Sequence, residues 1–239
     1  MVINEEDTEF TYSGKEVLDE QKVLKKYNQY ILKQFIDIIR DKDNVLDFGA
    51  GIGTFANLID RKKINLECVE KDSQQMEYLK KNGFMCFPGL PEKKNHYELV
   101  YSINVLEHIE DDQTILENIY SIVKPGGHLV LWVPAFQILY SSFDKRVGHL
   151  RRYSRKELEE KLINSGYSIK SAKYKDSLGW LVTLVFKLFG SKKGHINMRI
   201  LLFYSNVLLY VSRLMDKILS PFMGKNIVVI AKKPGSPSD

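Results

Sequence analysis

Apolar positions recur along the chain with two different periods. From about Glu16 to Arg40, Leu18, Val23 or Leu24, Tyr27, Ile31, Phe35, Ile38 and Ile39 return at three- to four-residue steps, which predicts an amphipathic helix. Short apolar runs then alternate with helical stretches. Val45–Phe48, Leu66–Glu70, Phe84–Phe87, Glu98–Ile103 and His128–Val133 read as five strands. Thr54–Arg61, Ser73–Asn82 and Asp112–Val123 read as helices between them, the second capped by Asp72. Lys124-Pro125-Gly126-Gly127 predicts a turn before the fifth strand. Strands and helices in alternation predict a parallel α/β sheet, and the mostly apolar strands suit a sheet covered on both faces.

Beyond Pro134 the pattern loosens. Residues 135–149 read as a loop or short helix. Ser154–Ser165 is a predicted helix with a capping box, Ser154 and Glu157, and Gly166 at its end. Ser168–Tyr174 reads as a sixth strand and Asn226–Ala231 as a seventh. Between them, Leu178–Phe189 and Met198–Leu219 predict two apolar helices. One domain is expected, with an N-terminal arm and helix over 1–40 and a core over 41–134. An acceptor-side segment over 135–177, a helical insertion over 178–222 and a last strand over 226–231 follow. The arm, with Phe10 and Tyr12, and the tail 232–239 are expected to be loose.

Composition and charge sharpen this picture. Of 239 residues, 44% are hydrophobic and 27% charged, which excludes a disordered chain. Two cysteines, Cys68 and Cys86, exclude a disulfide scaffold and a Cys-rich zinc module, and no His/Cys/Asp spacing suggests a metal, so none is expected. The start, MVINEEDTEF, is acidic and lacks the apolar region of a signal peptide. The two apolar C-terminal stretches, Leu178–Phe189 and Ile200–Ser212, are each about a dozen residues against the roughly 20 that a span needs. A cytoplasmic protein is expected, at most peripheral to the inner membrane face. The charge of +5 is unevenly spread. Residues 1–144 hold 16 basic and 24 acidic side chains, 145–199 hold 14 and 4, and 200–239 hold 5 and 2. The basic segment suits an anionic partner, or else solvates exposed helices.

The candidate chemistry starts at Gly49-Ala50-Gly51-Ile52-Gly53, between a strand and a helix. Glycines there let the backbone approach a ligand closely. The G-x-G-x-G spacing, with Thr54 where a dinucleotide fingerprint has its last glycine, disfavours NAD or FAD, and no G-K-[ST] follows to make a P-loop. Glu70 ends the second strand, 21 positions after Gly49, where a carboxylate can accept from two ribose hydroxyls.

Residues 45–53, from Val45-Leu46-Asp47-Phe48 through the glycines, resemble the first motif of class I S-adenosylmethionine-dependent methyltransferases. Glu70 matches their ribose-binding acid. Residues 97–109, ending Asn104-Val105-Leu106-Glu107-His108-Ile109, resemble their fourth-strand segment, and Val123-Lys124-Pro125-Gly126-Gly127 resembles the turn before their fifth strand. The resemblance implies a Rossmann-like sheet of seven strands in the order 3-2-1-4-5-7-6, with strand 7 antiparallel. The helical pair between strands 6 and 7 is then an insertion. S-adenosyl-L-methionine is the implied cofactor and S-adenosyl-L-homocysteine its product, held by Asp47, Gly49, Ala50, Gly51, Gly53, Glu70, Lys71, Asn104 and Leu106. The family's Asp after the third strand has no match in Phe87-Pro88-Gly89-Leu90-Pro91-Glu92, so apolar and backbone contacts are expected to hold the adenine. Gly148-His149-Leu150-Arg151-Arg152-Tyr153, together with Tyr27-Asn28, resembles a bacterial branch of the superfamily that often accompanies genes for cell-surface polysaccharide or glycolipid assembly.

Ligands of such sheets sit beyond the carboxyl ends of the strands, where the 134–153 segment leaves. Asp144, Arg151 and Arg152 are the candidate acceptor-binding residues. The arginines either hold a phosphate or carboxylate, or pair with Asp144 or Glu157. His149, His108 and Tyr153 are the candidate catalytic residues, because an oxygen or nitrogen nucleophile needs to lose a proton near neutral pH. His108 reads equally as a helix-start histidine bonded to backbone. The insertion, with Trp180, Phe186, Phe189, Phe203, Tyr204, Tyr210 and Phe222, is a helical cap, a dimer surface or a lipid-contacting element aided by Lys187, Lys192, Lys193 and Arg199. The expected function is in-line methyl transfer to a small-molecule or lipid-linked glycan acceptor carrying negative charge. The alternatives are an RNA methyltransferase and a catalytically inactive cofactor-binding module. Asn104-Val105-Leu106-Glu107 lacks the Asn-Pro-Pro-aromatic signature of base-methylating enzymes and no RNA-binding module is appended, and DNA is not expected as a partner.

Overall fold

The computed structural model describes residues 22–235. The predicted arm, the first part of the Glu16–Arg40 helix and the end of the tail lie outside the described residues. Seven strands form one sheet: β1 (Asn44–Phe48), β2 (Asn65–Val69), β3 (Met85–Phe87), β4 (Tyr97–Ile103), β5 (Val123–Pro134), β6 (Ser168–Lys175) and β7 (Asn226–Lys232). Their order is β3-β2-β1-β4-β5-β7-β6, and β7 runs antiparallel to both neighbours, as the resemblance implies. The helices are α1 (Lys25–Leu32), α2 (Ser73–Lys81), α3 (Asp112–Ile122), α4 (Ser142–Val147), α5 (Arg155–Asn164), α6 (Ser177–Phe189), α7 (Met198–Phe203) and α8 (Leu209–Leu219).

Both faces of the sheet are covered. Ile31, Phe35, Val45, Tyr101 and Trp132 share one buried cluster; Leu46, Val100, Leu116, Leu158 and Ile227 share the other. Local capping follows the sequence closely. Asp72 accepts from the backbone of Gln74 and Gln75, and Ser154 with Glu157 closes a capping box on α5.

Three elements depart from their predicted form. The first helix stops at Leu32 and resumes only as a 3-10 turn over Ile36–Ile38. Phe35 leaves helical geometry between them to bury its ring against Tyr101, at 5.1 Å between centroids, so core packing overrides local periodicity. The predicted Thr54–Arg61 helix is a 3-10 turn over Ala56–Leu58. There the Asn57 side chain donates to the Gly53 carbonyl at 2.7 Å and competes with a helical ladder. The Lys124–Gly127 turn belongs to β5, whose pairing with β4 shifts register between Tyr97 and Leu99, and Gly126 takes φ +79°. A glycine is needed for that left-handed kink.

The insertion folds as two antiparallel arms. α6 packs on α8, and α7 continues into α8 through one π-helical turn, Tyr204–Leu208. Residues Met198–Leu219 thus form one 22-residue helix, longer than the dozen-residue apolar stretch suggested and long and apolar enough to cross a membrane by length and composition. Its buried positions are Ser205, Leu209, Ser212 and Asp216. Its outward positions include Phe203, Val207, Tyr210, Val211, Leu214 and Ile218.

Candidate active site

The site is built at the carboxyl ends of β1, β2, β4 and β5. A cleft of about 1000 Å³ runs from the glycine loop to the insertion, lined by Gly49, Gly51 and Glu70 at one end and by Phe186, Ile200 and Tyr204 at the other. Gly49, Gly51 and Gly53 all take positive φ, at +81°, +57° and +75°. A Cβ at Gly49 would lie 2.3 Å from a methyl of Val105, so the turn admits no larger residue without rearrangement. Three non-glycine residues are also left-handed where strands end: Asn104 after β4, Phe136 after β5 and Asp176 after β6. Backbone strain of this kind collects around functional clefts.

Glu70 stands at the end of β2, buried, with Oε2 accepting from Gly51 N at 2.7 Å and Oε1 from Asp72 N at 2.9 Å. Burial raises its pKa, and the bonds from the Asp72 and Gly51 amides offset part of that. Each oxygen keeps a lone pair for a hydroxyl donor. Pro88, Gly89 and Leu90 line the cleft next to it. Gly49, Ala50, Gly51, Glu70, Lys71 and Asn104 therefore come together in the wall, as the sequence predicts.

Asp47, Gly53 and Leu106 stand behind that wall. Asp47 accepts from the Tyr101 hydroxyl at 2.8 Å inside the core, and burial pushes its pKa up to about 7. Leu106 is buried in the hydrophobic cluster, and the peptide carbonyl of Gly53 holds Asn57. Their contribution is to shape the loop.

On the acceptor side, α4 begins at a capping box formed by Ser141 and Asp144, and Gly148 ends it at φ +78°. This turn brings His149 over the start of the segment after β4. Asp144 is fully buried and takes the Arg152 guanidinium through two bonds, Nε to Oδ1 at 2.9 Å and Nη2 to Oδ2 at 3.0 Å. His149 Nδ1 is 2.7 Å from Asp144 Oδ1. Burial alone would raise the Asp144 pKa, but the His149 bond and the Arg152 charge outweigh it and hold the carboxyl at about 2. Arg152 and His149 line the cleft. Arg151 instead bonds the Glu110 carbonyl and sits 3.1 Å from Asp112. The Tyr153 hydroxyl donates to Asp112 at 2.9 Å and reaches the Leu106 carbonyl at 3.2 Å. Burial raises its pKa far from neutrality, so it braces the wall instead of meeting an acceptor.

His108 places Nδ1 3.0 Å from the Gly148 carbonyl, and its ring lies edge-on to His149 with centroids 4.8 Å apart. Burial, with the neighbouring His149, lowers its pKa to about 4. The residue that sequence reasoning missed is Glu107. It is fully buried, neither carboxylate oxygen accepts a hydrogen bond, and Oε1 lies 3.6 Å from His149 Nε2. Burial is the dominant influence and pushes its pKa to about 7, with His149 and Arg152 offsetting only part. The available signal was its place beside His108 in a motif that points towards the cleft.

A glycine-cradled strand end with an acidic residue closing the next strand defines a nucleotide-cofactor methyltransferase site, and comparison with known proteins agrees. The methyltransferase-domain family model matches residues 20–172. The chain belongs to this family and carries a class I S-adenosylmethionine-dependent methyltransferase domain. An "uncharacterized methyltransferase" of Mycobacterium sp. (strain KMS) is 27% identical over 153 residues, 57% of this chain and 59% of that protein, so the match spans under two thirds of this relative. A ubiquinone biosynthesis O-methyltransferase of Rickettsia canadensis is 24% identical over 178 residues, covering 61% of this chain and 72% of that protein. Among solved structures, a SAM-dependent methyltransferase from Archaeoglobus fulgidus superposes with a TM-score of 0.61 at 19% identity, over 89% of this chain and 94% of its own.

The residues present fit S-adenosylmethionine. The glycine cradle leaves room for backbone contact, and Glu70 keeps acceptor capacity at the strand end. The walls between Phe48, Val69 and Leu90 are apolar enough for a purine.

Proposed function

We propose that this protein is a methyltransferase whose acceptor is lipid-linked, carries a charged or polar head and enters the cleft from the insertion side. The observation that carries this reading is the inverted polarity of the insertion. Asp176, fully buried, accepts from Tyr27 Oη at 3.0 Å, Ser212 Oγ at 2.8 Å, Gly179 N at 3.1 Å and the Tyr204 hydroxyl. Asp216 accepts from Ser177 Oγ at 2.7 Å, Ser177 N at 2.9 Å and the Tyr30 hydroxyl. The insertion is thus held to the domain by a buried polar network. The apolar side chains face away from it, with Phe189 83% exposed and Ile218 75% exposed. An exposed apolar face of this extent suits a bilayer interface, and the exposed Lys187, Lys192, Lys193 and Arg199 suit anionic headgroups.

Bound S-adenosylmethionine would supply a methyl group on a sulfonium, already a good leaving group. Gly49, Gly51, Glu70 and Asn104 would hold and orient it, and the apolar walls exclude water. The chain's own task is then to bring a nucleophile into line. His108 and His149 each commit Nδ1 to an oxygen, and both rings line the cleft beside the path of the acceptor. Arg152 and Lys225 place cationic side chains in the cleft wall, the first paired with Asp144 and the second 3.5 Å from Asp176. An RNA acceptor is disfavoured because Arg151 is already engaged by Asp112 and the outward face of the insertion is apolar.

The test follows the methyl label. The chain is incubated with methyl-labelled S-adenosylmethionine and separately fractionated lipid and polar extracts. Label recovered in the lipid fraction supports the proposal. Label recovered only in polar metabolites or RNA overturns it.

A further inference from the structure

We infer that Glu107, His108 and His149 form a binding site for one divalent first-row transition-metal ion, opening onto the acceptor side of the cleft. The inference rests on the methyltransferase reading only for what the ion would serve, not for its binding. Three observations converge. First, one ligand atom from each residue lies within 4.8 Å of the other two. The closest measured pair, His149 Nε2 and Glu107 Oε1, is 3.6 Å apart. Donors around such an ion stand roughly 3–3.5 Å apart for bonds of about 2.0–2.1 Å, so closing the site takes about an ångström of side-chain movement.

Second, the outer nitrogens are engaged. His149 Nδ1 faces Asp144 Oδ1 at 2.7 Å, and Asp144 is fixed in place by its two bonds from Arg152. His108 Nδ1 faces the Gly148 carbonyl, which can only accept. With Nδ1 turned to an oxygen in each ring, Nε2 is the nitrogen left to ligate an ion. A histidine whose far nitrogen donates to a carboxylate or carbonyl is the arrangement that orients imidazole ligands in metal sites.

Third, Glu107 is buried with neither oxygen accepting a hydrogen bond, and Oε1 lies 3.6 Å from His149 Nε2. An unpaired carboxylate in an apolar wall is costly unless a proton or a cation meets it. Two imidazole nitrogens and a carboxylate stand together there. That set suits zinc, manganese or ferrous iron, and three ligands leave positions open. His108 and His149 line the cleft, so the open positions face the acceptor and suit an oxygen of its polar head.

The experiment uses the full chain, stripped with chelator and desalted. Zinc is titrated calorimetrically, cobalt(II) by its visible absorption, and S-adenosylhomocysteine in parallel on the same samples. The inference expects one ion per chain, a cobalt spectrum of nitrogen and oxygen ligation, and at least a tenfold loss of affinity in Glu107→Gln and in His149→Gln. Glu107→Gln should also melt higher than the wild type without metal, because it removes the unpaired carboxyl, yet gain less from added zinc. A wild-type chain that binds S-adenosylhomocysteine but no zinc or cobalt overturns the ion site and leaves the methyltransferase standing. Unchanged affinity in both variants equally overturns it, because the ion would then sit elsewhere. A chain that binds the ion but no S-adenosylhomocysteine keeps the site and overturns the methyltransferase reading.

Discussion

Around the glycine loop, apolar side chains such as Val45, Val69 and Leu99 turn inward and pack the core, with the few buried carboxylates, Asp47, Glu70 and Asp72, each held by a hydrogen bond. Along α6 and residues 198–219 the order is reversed, with Ser177, Ser205, Ser212 and Asp216 inside and Leu188, Phe203, Leu214 and Ile218 outside. The first region is held by the hydrophobic effect, which needs only apolar area removed from water. The second is held by directed bonds to two carboxylates, which tolerate no loss of a partner. The difference teaches that the insertion's stability and its surface are separable. Its attachment resides in Asp176 and Asp216, while its outward face is free to meet something apolar.

Substitutions can break that comparison in order of size. Asp176→Ala strands the hydroxyls of Tyr27, Tyr204 and Ser212 and the Gly179 amide, and should cost about 3 kcal/mol. Limited proteolysis should then cut first between residues 178 and 222, while S-adenosylhomocysteine binding by the core survives. Gly49→Ala strikes the other region. A Cβ 2.3 Å from Val105 at φ +81° should cost about 2 kcal/mol in thermal melting and reduce S-adenosylhomocysteine binding at least tenfold in titration calorimetry.

The pH response sharpens the contrast further. The Asp47 carboxyl, ordinarily near 3.8, is pushed up to about 7 by burial; the Tyr101 bond opposes this and the Glu70 charge adds to it. The folded chain keeps a proton there that the unfolded chain has lost. Its contribution to stability is complete below about pH 3.8 and is lost as pH rises through about 7. Asp47→Asn should flatten that fall, by on the order of 4 kcal/mol, in denaturant melts taken across this range. The smallest effect on folding is expected from Leu188→Asp with Ile218→Asp, within about 0.5 kcal/mol, because both side chains point outward. The same pair should abolish vesicle binding.

The cofactor end was legible because its signals are local. A glycine triplet after an apolar run and an acid at the next strand end state their purpose within a few residues, and all seven strands fall where the apolar runs predict. What escaped was whatever depends on distant partners. Phe35 breaks a well-formed helical period to reach Tyr101. Arg151 and Arg152 read as anion binders or as partners of Asp144 or Glu157; Arg152 does pair with Asp144, but Arg151 turns to Asp112, a partner the sequence does not suggest. Glu107 gives no sign in the sequence that burial will leave it unpaired beside His149. The insertion is apolar enough to be noticed, but only the fold shows that its few polar residues share the inward face.

The central claim is that this outward face lies on a membrane. Co-sedimentation with vesicles of neutral and of anionic lipid at low and high salt tests it most directly. The account predicts binding to anionic vesicles at low salt that weakens as salt rises, because the lysines add a screened attraction to apolar insertion. A chain that stays in the supernatant with anionic vesicles at low salt contradicts it.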